Sequence, residues 1–97
     1  MKKLVLAAFI FASTISSNVL ADIKMGVILG FTGPIESLTP AMAASAELAF
    51  KEASDSGSLL GGKKITPVRA DSTCVDSAAA TTAAEGIISE GVAAIMG

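Results

Sequence analysis

Two short, nearly continuous apolar runs and a third β-type segment between them constrain this chain most. Ile23 to Leu29 is apolar except for Lys24, and Val92 to Met96 is apolar throughout. Runs of this length without polar alternation read as strands buried on both faces. Ile65 to Ala70 reads as the strand between them, weakened at Pro67, which points to an edge position or a strand end because proline cannot donate to a ladder. The two intervening stretches are helix-forming. In the first, Thr39-Pro40 has the form of an N-cap followed by proline at the first helical position, and the helix runs to Ser56 with Gly57 as its stop. Met42, Ala46, Ala49 and Ala53 share its expected inner face with Phe50 beside them, and Glu47 and Lys51 stand four apart as a surface pair. Ser58 to Gly62 is a turn. In the second stretch Asp76 caps a helix from Ser77 to Glu90, with Ala80, Ala83, Ala84, Ile87 and Ile88 inward and Gly91 ending it. The order β-α-β-α-β implies an α/β fold with a parallel sheet and right-handed crossovers.

The chain of 97 residues allows at most one small domain. Its 52% hydrophobic content is largely alanine and its 4% aromatic content is all phenylalanine, so a core built from this stretch alone is thin. Three strands and two helices do not cover both faces of such a sheet, and the expectation is a truncated lobe that does not fold by itself.

The first segment has the pattern of an export signal. Lys2 and Lys3 precede an apolar run from Leu4 to Phe11 that continues with smaller residues to Ile15, and Val19 and Ala21 stand where signal peptidase needs short side chains. Cleavage is expected between Ala21 and Asp22. The alternative is a membrane anchor, but an apolar core of roughly 12 residues falls short of the ~20 that cross a bilayer. No cysteine lies near the cleavage site to carry a lipid. Loss of Lys2 and Lys3 leaves five basic against nine acidic residues. That balance argues against nucleic acid and against an anionic membrane surface, both of which require clustered cations.

Reactive chemistry is not evident. Gly57, Gly62 and Lys63 match the first seven positions of a phosphate-binding loop, but Lys64 occupies the place of the magnesium-binding Ser or Thr, and the segment leaves a helix for a strand rather than the reverse. Gly26, Gly30 and Gly33 lack dinucleotide-fingerprint spacing. There is no histidine, and Cys74 lies between Asp71 and Asp76, whose negative charges disfavour a thiolate. No catalytic set, metal cluster or cofactor is expected. In open parallel sheets ligands sit beyond the carboxyl ends of the strands, which places residues 30–38 and 71–74 at the mouth of any site, with helix amino-terminal amides available to an anionic group. A single cysteine in an exported chain implies a partner elsewhere, the alternative being a buried free thiol.

Ile23-Lys24-Met25-Gly26-Val27-Ile28-Leu29, Gly33-Pro34, Ala46-Glu47-Leu48-Ala49-Phe50, Gly61-Gly62-Lys63-Lys64-Ile65, Ala70-Asp71-Ser72-Thr73-Cys74-Val75-Asp76 and Glu90-Gly91-Val92-Ala93-Ala94-Ile95-Met96-Gly97 together resemble the opening of periplasmic branched-chain amino acid-binding proteins of ABC transporters. The resemblance spans residues 22–97 and rests on the order and spacing of these segments. It implies the start of the first lobe of a type I periplasmic binding protein, Rossmann-like in its layering. The whole would be a two-lobed monomer of several hundred residues that closes on an amino acid or amide by hinge motion and docks on a membrane permease. It further implies that Cys74 pairs with a cysteine just after the third strand, beyond Gly97. An aromatic residue that often covers the ligand side chain in this family falls near Leu38, where leucine departs from the pattern. Glu36 and Ser37, its neighbours, are candidates to meet an ammonium or amide. Two other readings keep the fold: a periplasmic ligand-sensing domain of a signalling system, and an exported enzyme whose catalytic residues lie beyond Gly97.

Overall fold

The computed structural model describes residues 22–97. The leader and the Ala21 side of its cleavage site lie outside the described residues. Asp22 is exposed at the start of the first strand, where its carboxylate accepts a hydrogen bond from the Thr66 hydroxyl at 3.4 Å. The elements are β1 (Ile23–Leu29), α1 (Thr39–Asp55), a short 3-10 turn (Leu59–Gly61), β2 (Ile65–Asp71), α2 (Ser77–Ser89) and β3 (Ala94–Met96). They form the expected βαβαβ unit. The strand order is β2-β1-β3 and both pairings are parallel. Among the described residues β2 therefore lies at an edge, where Pro67 is tolerated.

Register and parity decide which helix covers which face. Successive strand residues point to opposite faces. Val27 and Leu29 on β1 and Met96 on β3 pack with Ala43, Phe31 and Phe50, so the odd-numbered face of β1 carries α1. The place a side-chain carbon would take on Gly26 lies 2.6 Å from the Ile87 Cδ1 and 3.1 Å from Ile95, so the even-numbered face carries α2. One helix thus lies against each face without covering it, because the connection from β1 moves to β2 and the next one crosses back past β1 to β3. The core among the described residues is small: Val27, Leu29, Ala43 and Ile87 are its buried hydrophobics.

Several expectations require correction. Thr39 does not cap α1. Leu38 stands at that position with helical dihedrals and no side-chain cap, while Thr39 is fully buried and its hydroxyl donates to the Gly30 carbonyl at 3.0 Å. The inner stripe of α1 is rotated by about one position from the pattern: Thr39, Ala43 and Ser54 are buried with Phe50 packed beside them, Ala46 and Ala53 are half-buried, and Met42, 50% exposed, and Ala49 lie at the surface. Glu47 turns to Arg69 on β2 instead of Lys51, and Lys51 pairs with Asp55. In α2 it is Ile87, 4% exposed, that faces the sheet, whereas Ile88 is 59% exposed. β3 is shorter than the apolar run, since Val92 and Ala93 belong to the approach from α2.

Two polar residues on apolar elements are satisfied across the fold. Lys24 Nζ donates to the Glu90 carbonyl at 3.0 Å, setting a cation against the carboxyl end of α2, where the helix dipole favours it. Ser54, buried near the end of α1, donates to the Phe50 carbonyl at 2.7 Å and accepts from the Ile65 amide at 2.8 Å, which ties α1 to the start of β2. Thr39→Val keeps the shape of its site but leaves the buried Gly30 carbonyl without its hydroxyl donor. The expected cost is about 1–3 kcal/mol of unfolding free energy, read from the urea midpoint.

Candidate functional site

The pairing of Leu29 with Asp71 brings β1 and β2 to the same level at their carboxyl ends, so the loops that follow leave from one rim. The strand order reverses at β1, with β2 on one side and β3 on the other. A reversal of strand order is where open α/β sheets form the crevice that binds ligands, outside the carboxyl ends of the strands. The first loop, residues 30–38, leaves the carboxyl end of β1 at this reversal. Gly97 follows β3 on its other side, and a side-chain carbon there would lie 2.5 Å from the Ile28 carbonyl oxygen, so the backbones approach closely.

The first loop and the turn after β2 interlock. Asp71 ends β2 with its carboxylate against both. Its Oδ1 accepts from the Thr73 amide at 2.8 Å and from the Thr32 amide at 3.3 Å, and its Oδ2 accepts from the Thr32 hydroxyl at 2.6 Å. These donors, the Thr32 hydroxyl foremost, hold the Asp71 carboxyl below the ordinary carboxylate range. Stability linked to a lowered carboxylate is complete above its unfolded-state pKa and is lost as pH falls through the folded value, so the interlock stands at neutral pH and fails in acid. The backbones also touch. A side-chain carbon on Gly33 would lie 2.7 Å from the Thr73 carbonyl oxygen, and one on Gly30 would lie 2.9 Å from the Cys74 Sγ. Thr73 and Cys74 both hold left-handed backbone, with φ of 58° and 61°, a conformation costing about 1–3 kcal/mol per non-glycine residue and concentrated at functional sites.

Arg69 reinforces the loop from the α1 face. Its Nε and Nη2 donate to the two Glu47 carboxylate oxygens at 2.6 and 2.9 Å, and its guanidinium carbon lies 5.3 Å from the centre of the Phe31 ring. A bidentate ion pair that also stacks on an aromatic face fixes the root of the first loop between α1 and β2.

Glu36, Ser37 and Leu38 occupy the turn that carries the first loop into α1, and all three are exposed, Leu38 by 62%. Their turn is closed by backbone bonds from the Glu36 amide to Gly33 and from the Leu38 amide to Ile35. A shallow concavity of about 330 Å³ lies elsewhere, lined by Ser72, Cys74, Val75, Asp76, Ser77 and Ala80. It sits beside α2 rather than at the reversal of strand order, and none of Glu36, Ser37 and Leu38 lines it. Cys74 is a free, exposed thiol at its edge, not a buried one. The amino end of α2 does not await an anion, because Asp76 already accepts from the Ala78 and Ala79 amides at 2.9 and 3.2 Å. Asp76 caps this helix as its sequence position indicated. Among the described residues no group of three His, Cys, Asp or Glu is placed to hold a metal ion, and no helix is long and apolar enough to cross a membrane.

A family model described as periplasmic binding protein matches residues 22–97, the whole described stretch. The chain belongs to the periplasmic binding protein family. It is of the branched-chain amino acid-binding type that its sequence resembles, and its parallel sheet is the one with which a type I lobe opens. Membership assigns this periplasmic binding protein a general solute-binding role, a small-molecule ligand and a periplasmic setting, in a family that is typically non-enzymatic. A search of the curated proteins finds no match. The rim residue that the sequence left without a role in this periplasmic binding protein is Asp71. An aspartate two residues before a threonine, at the end of a strand, is the local signal of a side chain turning back on its own backbone. Its second partner, Thr32, lies 39 residues away and no local pattern announces it.

Proposed function

We propose that this chain is the opening of the first lobe of the solute-binding component of an ABC importer for amino acids of the branched-chain type or for related amides. The observation that carries the proposal is the family match over residues 22–97 on a sheet whose order reverses at the first loop. The ligand is held at the rim by hydrogen bonding and shape, with no reactive side chain involved. Leu38, an exposed apolar residue beside the crevice, covers the apolar part of the solute in place of the aromatic residue usual in the resembling proteins, and Glu36 and Ser37 meet its ammonium or amide.

The remaining parts of the proposal follow from the same reading. The leader ends at Ala21 and the mature chain begins at Asp22; the start of the family match at residue 22 supports this boundary. Cys74, exposed on the rim, pairs with a cysteine beyond Gly97. The few buried hydrophobics, with Leu48, Val75, Ile88 and Ile95 left at the surface, support a larger lobe that covers them. The full protein is a monomer that closes on its solute and docks on a membrane permease.

A ligand that binds only the folded state raises stability with the logarithm of its excess, by about 2.7 kcal/mol at a hundredfold excess over Kd. In a thermal-shift panel of amino acids, amides and small carboxylates, the full-length protein is expected to be stabilised by one narrow group, with leucine, isoleucine, valine or a small amide among them. No shift across the whole panel would remove the importer assignment.

A further inference from the structure

We infer that Asp71 is a positioning residue whose carboxylate clamps the first loop to the turn after β2 and so presents one wall of the ligand crevice already formed. The inference rests on the solute-binding reading of the rim. A carboxylate at a strand end that only closed its own turn would need a single bond, that from the Thr73 amide at 2.8 Å. Asp71 uses its second oxygen, and part of its first, on a residue of the other loop: the Thr32 hydroxyl at 2.6 Å and the Thr32 amide at 3.3 Å. The contact it holds shut has no spare room. Gly33 lies against the Thr73 carbonyl and Gly30 against Cys74, each too close to admit a side-chain carbon without displacement.

The groups that hydrogen-bond the carboxylate from the two loops belong to Thr32 and Thr73, all neutral donors. The nearby guanidinium of Arg69 is taken up by Glu47 and the face of Phe31. The clamp is therefore a set of charge-assisted hydrogen bonds to an anion, which are stronger than neutral ones and need no counter-ion. Ordering two loops before the ligand arrives removes that cost from binding, so the clamp acts on affinity through loops it does not itself extend to the ligand. Glu36, Ser37 and Leu38 ride on the first loop just beyond Gly33. Their positions over the crevice are set by whether residues 30–33 are held to the turn after β2.

The test is amide hydrogen exchange on the full-length protein, with affinity for L-leucine, and for acetamide where L-leucine gives no response, as the second readout. Asp71→Ala is expected to speed exchange in residues 30–38 and 72–76 by about tenfold or more, the scale of losing a charge-assisted hydrogen bond, while α1, α2 and β1 keep their wild-type rates. Probe affinity falls by a similar factor. Asp71→Asn keeps an acceptor for both amides, and the Thr32 hydroxyl can turn to accept from its amide group, but without the charge it restores only part of the protection. Thr32→Val removes only the hydroxyl and serves where Asp71→Ala does not fold. Loop exchange left unchanged by Asp71→Ala and Thr32→Val overturns the clamp. Exchange raised equally through both helices shows a general structural role and also overturns it, as does faster loop exchange with unchanged affinity. A wild-type protein that binds neither probe counts against the importer assignment, and the exchange result still decides the clamp.

Discussion

Ile87→Ala is expected to lower the unfolding free energy by about 2–5 kcal/mol, the range for removing a buried aliphatic side chain and leaving a cavity. Ile87 is 4% exposed and is the buried residue of α2. The rest of its inner face is alanine, so little other area holds this helix to the sheet. The cavity would not close readily, because the opposite wall is Gly26 on the central strand, whose missing side chain is what admits the Ile87 Cδ1. Backbone in the middle of a parallel sheet moves little. Ile87→Val, which loses one methylene, should cost about 0.5–1.5 kcal/mol, giving a graded series measured by urea unfolding of the full-length protein. Equal costs for the two substitutions would show that Ile87 is not the anchor of α2.

Gly33→Ala is expected to have the next largest effect, and to reach ligand response as well as stability. Gly33 has a φ of 98°, a conformation that costs a non-glycine residue about 1–3 kcal/mol. Its side-chain carbon would in addition lie 2.7 Å from the Thr73 carbonyl oxygen, which is backbone and cannot rotate aside. Relief requires the first loop to lift from the turn after β2, against the Asp71 bonds. Gly91→Ala provides the comparison, since Gly91 has a φ of 85° but a side-chain carbon there meets nothing within 4 Å. Both variants carry the backbone cost and only Gly33→Ala carries the collision. The urea midpoint should therefore fall further for Gly33→Ala, and the thermal shift with a stabilising amino acid or amide should shrink for that variant alone. Matching midpoints and matching ligand responses would mean that the two loops do not bear on one another.

The elements were legible because each announces itself locally. Ile23 to Leu29 has no polar alternation, Asp76 precedes a helical run, and Gly57 and Gly91 stand where a left-handed residue ends a helix. The phase of α1 was not legible. Alanine occupies so many of its positions that several stripes are equally apolar, and only the packing of Ala43 and Phe50 against Val27 and Leu29 selects one. Thr39 and Glu47 were misread for a related reason: capping and i,i+4 pairing are the options a side chain has within its own helix, and tertiary structure offered Gly30 and Arg69 instead.

The same division runs through the site. Local sequence determined an alternating α/β unit, its parallel sheet and the two loops that crown it, because strand and helix signals repeat over a few residues and the crossover rule then leaves few topologies. The reversal of strand order at β1, the opposite faces taken by the two helices, and the clamp from Asp71 to Thr32 were decided only in the tertiary structure. Each depends on residues tens of positions apart being brought to one edge of one sheet, and no periodicity along a chain records that distance.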